Sequence, residues 1–382
     1  MLRKFIFWTH LVVGVSIGIV VFIMSATGVL LTYENQLVEW DEARNSEPLK
    51  INEQQLATDD VLNIVRQMHP DEHHFYIRWV NEEGRAIPVW AGPQRYLISA
   101  YSGEVLQVGE SWLVNSLHWI TDLHRWLAFK NESESIAKTI TAYSNLFFLF
   151  LIITGAYLWL PRRVRWAAIK PNIFFRRKLK SRHARNYNWH QVFGFWAIAP
   201  LFLIASTATI FHFSWANEAL YGIFDEEPYK PEEKPELLVL SDGKQSYSTL
   251  FSVAKQHAIE NDAEDWHSMW LEFGSEDGLV RFYIDRSIGR NPDMAYSLFL
   301  DVDTSDVIRV ERYSDWTSGG RAWTIARYLH TGEYFGLIGQ TIAGLASLAG
   351  CFLVYTGFML SWRRFVSSYV RRSKGDKKVK RN

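Results

Sequence analysis

NYNWHQVFGFWAIAPLFLIASTATIFHFSW, residues 186–215, decides the fold. From Asn186 through Asn217 no residue carries a charge, and a helix needs only roughly 20 apolar residues to cross a bilayer. Such a helix satisfies its own backbone, but an imidazole inside it still needs partners for its ring nitrogens. His190 at the start and His212 at the end are therefore functional candidates. Three further uncharged runs, 5–33, 139–161 and 334–362, are of the same kind. They predict four spans, at 5–33, 139–160, 190–213 and 336–362. The first is no signal peptide: its apolar part is too long and no small-residue cleavage site follows it.

Lysine and arginine set the expected orientation. Residues 161–189 carry ten basic and no acidic residues, the tail 363–382 nine basic and one acidic, and Arg3 and Lys4 precede the first span. These segments belong on the cytoplasmic side of a bacterial inner membrane, with both termini inside. Of 41 basic and 41 acidic residues in the chain, the rest then keeps 20 basic and 40 acidic. Two acidic loops face the periplasm, a surface that favours cationic or neutral ligands over anionic ones. No nucleic-acid partner is expected. Cys351 is the single cysteine. That excludes an intrachain disulfide, four-cysteine zinc sites, iron–sulfur clusters and thioether-linked haem.

Both loops read as a helix followed by strands, two separate α+β domains. In 34–110, residues 54–69 have helical apolar spacing, and alternating stretches follow at 74–80, 86–92, 95–101 and 102–108, with a Ser102-Gly103 turn. In 214–315, a proline- and acid-rich lead-in (225–236) precedes a helix at 247–260 and strands starting near 269, 279, 295 and 306. His73 and His74 read as solvated. Two tryptophan-bearing amphipathic segments, 111–130 and 316–332, fit the membrane interface. They carry His118, His124 and His330, and His118 and His124, six apart, do not share a helix face.

The halves repeat each other weakly. His10 is followed by Gly14 and SATG (25–28), His190 by Gly194 and STAT (206–209). YSGEVLQV (101–108) matches DTSDVIRV (303–310), LHRWL (123–127) matches LHTGE (329–333), and TGAYLWLPRR (154–163) matches TGFMLSWRR (356–364). Both halves run inside to outside to inside, so they are parallel repeats about a pseudo-twofold along the membrane normal. Equivalent residues then face each other, His10 with His190 towards the cytoplasm and His124 with His330 towards the outside. Converging imidazoles are what an axial haem pair requires. His118 and His212 have no counterpart and compete as outer ligands, with His212 the substitute. The glycines beside His10 and His190 leave room either for a neighbouring helix or for a flat cofactor.

These motifs, from H-x3-G and SATG through LHRWL to LHTGEYFG and TGFMLSW, make the chain resemble the PepSY-associated transmembrane family over nearly its whole length. Within that family it is similar to the FoxB-type ferrisiderophore reductases, iron-regulated inner-membrane proteins. The resemblance implies four transmembrane helices, two periplasmic PepSY-like domains, and b-type haem, two per chain. It further implies electron delivery to ferric siderophores in the periplasm, with release of Fe(II). The matching ligand positions are His10, His124, His190 and His330. One departure stands out: Ser305 replaces Gly103 in the second turn, which predicts a distorted outer segment there.

The electron source is a quinol, or a cytoplasmic flavoprotein or carrier docked on the basic loop 161–189; that loop's charge equally suits topology and lipid headgroups. No Gly-x-Gly-x-x-Gly follows a strand, so nicotinamide or flavin binding within the chain has no support in the sequence. Two other readings compete. The outer domains could bind or regulate an envelope partner such as a protease, with the histidines structural, or the chain could be a metal sensor or permease component.

Overall fold

A computed structural model describes residues 1–47, 54–72, 74–228, 244–276, 278–288 and 291–367. His73, residues 229–236 of the lead-in and residues 368–382 of the basic tail lie outside them. The helices are α1 (Leu2–Leu30), α2 (Glu34–Arg44), α3 (Thr58–Met68), α4 (Trp112–Trp126), α5 (Glu132–Trp159), α6 (Trp166–Ile173), α7 (Arg182–His212), α8 (Ser214–Gly222), α9 (Tyr247–Glu260), α10 (Ser318–Thr331) and α11 (Gly336–Trp362). The strands are β1 (Phe75–Val80), β2 (Ile87–Ala91), β3 (Gln94–Ile98), β4 (Val105–Val108), β5 (Ser268–Glu276), β6 (Leu279–Asp285), β7 (Ala295–Asp301) and β8 (Val307–Arg312). They form two compact units, Met1–Thr32 with His118–Asn217 and Leu329–Asn382, and Tyr33–Leu117 with Glu218–Tyr328.

The first unit is a four-helix bundle. The helices α1, α5, α7 and α11 form the core of the four segments long and apolar enough to span a membrane. Each packs on two others, α1 on α5 and α11, α7 on α5 and α11, which closes a ring. Small residues line the centre (Ala197, Ala205, Ala346 and Ala349, with Ile152 and Leu201), so the backbones approach closely. Large apolar side chains such as Phe22, Phe202 and Leu345 point outward, as lipid-facing residues do. Two buried amides bridge elements of the bundle: Asn145 Nδ2 donates to Ala205 O (3.0 Å), and Gln340 Nε2 to Thr32 O (3.1 Å).

The second unit corrects an expectation. The sequence predicts two separate domains, but the structure joins the outer segments in one antiparallel sheet, β4-β3-β2-β1-β5-β6-β7-β8. The seam is β1 on β5, from Tyr76↔Glu272 to Val80↔Ser268. Either half alone would leave its first strand as an unpaired edge. The alternation found in the sequence sends Phe75, Ile77, Leu271, Phe282 and Leu298 into one core, which α3 covers with Val61 and Val65 and α9 with Leu250 and Ala254. The two helices also cap each other. Asp59 of α3 accepts from the N–H groups of Tyr247 (2.8 Å) and Ser248 (2.9 Å) and from the Ser248 hydroxyl. On the other face α2, unforeseen in the sequence, inserts Glu42 between Arg78 and Arg95, all three nearly inaccessible.

The turn expected to be distorted is intact. Ser305 adopts φ +68°, beside +72° for Gly103, and Ser305 N donates to Asp301 O (3.0 Å) as Gly103 N does to Ser99 O (3.2 Å). Both hairpins shift register at the same place, between Leu97 and Ile98 and between Phe299 and Leu300. Asp301 Oδ1 holds the second turn by accepting from the N–H groups of Asp303 (2.8 Å) and Thr304 (2.9 Å). Those bonds offset the steric cost of a left-handed serine, about 1–2 kcal/mol.

Candidate functional site

Four histidines of the bundle unit are each held by a threonine of another helix. His10 Nδ1 lies 2.9 Å from Thr154 Oγ1 and His190 Nδ1 2.9 Å from Thr356 Oγ1. His124 Nδ1 lies 2.8 Å from Thr27 Oγ1, and His330 Nδ1 3.3 Å from Thr207 Oγ1 and 3.0 Å from Ile204 O. In every case the hydroxyl donates its own proton to a carbonyl one turn back: Phe150, Phe352, Ile23 and Leu203. The threonine oxygen is therefore the acceptor and Nδ1–H the donor, a tautomer whose lone pair lies on Nε2, the nitrogen through which a neutral imidazole ligates. Sequence reasoning picked out these histidines but missed the threonines. Their signal was present, since three of them precede a glycine in the quoted repeats: Thr27-Gly28, Thr154-Gly155 and Thr356-Gly357.

Those glycines border the same rings. A Cβ on Gly155 would lie 3.3 Å from His10 Cε1, on Gly28 3.6 Å from His124 Cε1, and on Gly357 3.8 Å from His190 Cε1. In the fourth position Ala208 follows Thr207. A Cβ on Gly14 would make ordinary contact with Leu151 of α5, 3.8 Å away, while Gly18 lies against Phe358 of α11 and serves helix packing.

The histidines fall into two pairs. His10 and His190 line one cavity of about 1080 Å³ between the four helices, with Gly14, Gly155, Gly194 and Gly357 in its walls. Its rim is basic: Arg3 donates to Leu158 O (2.7 Å) and Leu160 O (2.8 Å), and Arg364 lies over Phe7 and Trp8. The rings of His124 and His330 face each other with centroids 6.4 Å apart, at 68°. Two imidazoles bound to one metal from opposite sides, at about 2.0 Å per bond, place their centroids roughly 6 Å apart. Burial first, and then the nearby His330, push His124 down to about 4, so this ring is neutral at physiological pH. His118 and His212, the competing outer candidates, are exposed, and His330 is the ring that His124 meets.

What fits these pairs follows from the donor set. Among the described residues no group of three or more His, Cys, Asp or Glu could hold a bare metal ion. Two imidazoles are too few ligands for tetrahedral zinc, whereas each pair would supply the protein ligands of a haem. The glycine-walled cavity gives a flat ring room, and the arginine rim would pair with its carboxylates.

Four apolar helices in a ring, with histidines paired inside and an α+β unit between them in sequence, define an α-helical membrane protein. The family described as the PepSY-associated TM region matches residues 7–364, and the chain belongs to that family. No curated protein matched the chain.

Proposed function

We propose that the chain is a haem-containing reductase of the bacterial inner membrane, of the FoxB type, that passes electrons across the membrane to ferric siderophores in the periplasm. One observation carries this reading: four histidines of the bundle unit, each with Nδ1 committed to a threonine, His10 and His190 lining one cavity and the rings of His124 and His330 meeting at 6.4 Å. When bound, two b-type haems would supply one-electron transfer. His10 and His190 would hold the inner iron and His124 and His330 the outer one, the threonines fixing tautomer and ring orientation. The weak repeat supports the arrangement, since each half donates one histidine to each pair. Thr154 and Thr356 on the closing helices hold the inner rings, and Thr27 and Thr207 on the opening helices hold the outer ones.

The acceptor side follows from charge and coordination chemistry. An acidic periplasmic surface selects cationic or neutral chelates at low ionic strength. Ferrous iron is the softer, more weakly held ion for hard oxygen chelators, so one-electron reduction releases it. A quinol in the bilayer, or a cytoplasmic flavoprotein or carrier on the basic loop 161–189, would supply electrons.

The test is a reduced-minus-oxidised visible spectrum of detergent-purified protein with a pyridine haemochrome assay. The expected result is two b-type haems per chain, falling to one in His190→Ala. Absence of haem after expression with adequate haem supply would sink the reductase and leave the outer unit, as a binder of an envelope partner, to explain the protein.

A further inference from the structure

A second, smaller cavity of about 260 Å³ opens at the start of α7, beside the end of α11. Arg182, Arg185 and Arg363 line it, with His183, Asn186 and Tyr355, and no acidic residue does. Among the described residues none of the three arginines has an ion-pair partner; Arg185 rests only on the Trp189 ring, 5.0 Å from its centroid. Asn186 is 7% exposed, yet its Oδ1 is buried without a hydrogen-bond partner. A buried amide atom left unpaired costs about 1–3 kcal/mol; as an acceptor, Oδ1 is not itself what an anion would satisfy. The amide can turn to present its N–H₂ instead, because the two orientations have nearly the same shape.

Three unneutralised guanidiniums, a phenol and a buried amide are a donor set without an acceptor. Arginine's planar fork matches phosphate oxygens two at a time. The N-terminal turn of α7, a helix of 31 residues, adds its dipole to the same spot. We propose that this cavity is a binding site for a phosphate-ester anion, the headgroup of an anionic phospholipid being its natural source at a span's end. Arg182 and Arg185 grip the phosphate from α7, Arg363 closes on it from α11, and Asn186 is the buried donor beneath. The occupied site clamps α7 to α11, the two helices that carry His190 and its partner Thr356. The inference does not depend on the reductase reading, because its readout needs neither haem nor electron transfer.

The experiment measures thermal unfolding of delipidated full-length protein in three additions: inorganic phosphate, phosphatidylglycerol vesicles, and phosphatidylcholine vesicles. Phosphatidylglycerol is expected to raise Tm by about 3 °C over phosphatidylcholine, as ligand linkage gives for a site well above its Kd. A rise with phosphatidylglycerol alone assigns a lipid headgroup; a rise with inorganic phosphate too assigns the anion itself. Arg182→Gln/Arg185→Gln should lose the response. Asn186→Leu should also lose it, while melting at or above the wild-type temperature in the delipidated state because the orphaned amide is gone. No rise with either anion, or an undiminished rise in both variants, overturns the proposal.

Discussion

Replacing Thr356 by valine is the most direct probe of how the inner histidines are held. Valine keeps the shape of threonine at a position that is 0% exposed, so packing is preserved and only the hydroxyl is lost. His190 Nδ1–H, 2.9 Å from that oxygen, then has no acceptor, and an unpaired buried donor costs about 1–3 kcal/mol. The same range follows independently from coordination chemistry. Losing the outer partner of a metal-bound imidazole typically weakens affinity by about 10–100-fold. The assay is titration of haem into haem-depleted protein, followed by the visible spectrum. Thr356→Val should weaken the inner site by that factor and leave the outer site unchanged, because Thr27 and Thr207 serve the other pair. Thr356→Ser, which keeps an oxygen, should recover most of the affinity. Wild-type affinity in the valine variant, or an equal defect in the serine one, would refute the argument.

Two further tests address the outer unit. Gly103→Ala should destabilise it by about 2 kcal/mol, since φ is +72° and the new Cβ would sit 2.6 Å from Ile64 Cδ1, whereas Ser305→Gly should leave stability unchanged or raise it by up to about 1 kcal/mol; urea melts compare them. Burial opposes the Asp59 carboxylate, but the Ser248 hydroxyl and the N–H groups of Ser248 and Tyr247 outweigh it and hold the group below its usual 3.8. A depressed carboxyl contributes stability that is present above the unfolded value and lost as pH falls through the folded one. The advantage of wild type over Asp59→Asn should therefore be constant from neutral pH to about 5 and shrink below about 4. A gap that persists undiminished at low pH would show that the bond geometry, not the charge, matters.

The spans were legible because a bilayer demands long uncharged runs, and each such run is a helix. The strands were legible because the core face recurs at every second residue, as with Val280, Phe282 and Ile284 in LVRFYID. The joining of the two outer segments was not. Pairing of Tyr76 with Glu272 is a relation between distant residues, and nothing local in either strand encodes its partner. Helix α2 escaped for a different reason: its buried residue Glu42 is charged and meets arginines, so hydrophobic periodicity gives no sign of it. Ser305 misled because its left-handed backbone is secured by Asp301, four residues earlier, and a glycine rule does not register such support. At the candidate site the ring-bearing residues were legible from their repetition. Which helix supplies each threonine needed coordinates.

The β1–β5 seam bears on how the protein is made. Synthesis from the N-terminus completes β1 to β4 early, yet the strand that pairs with β1 emerges only after α5 and α7 have been built. Until Ser268 to Glu272 arrive, the nascent chain displays an open strand edge and an uncovered apolar face, the features that recruit chaperones or invite mispairing. A chain terminated after α7 would keep that edge for good. Premature termination products of this protein should therefore be cleared by quality control and not persist as half-molecules, and the two halves would have to be co-expressed to complement each other.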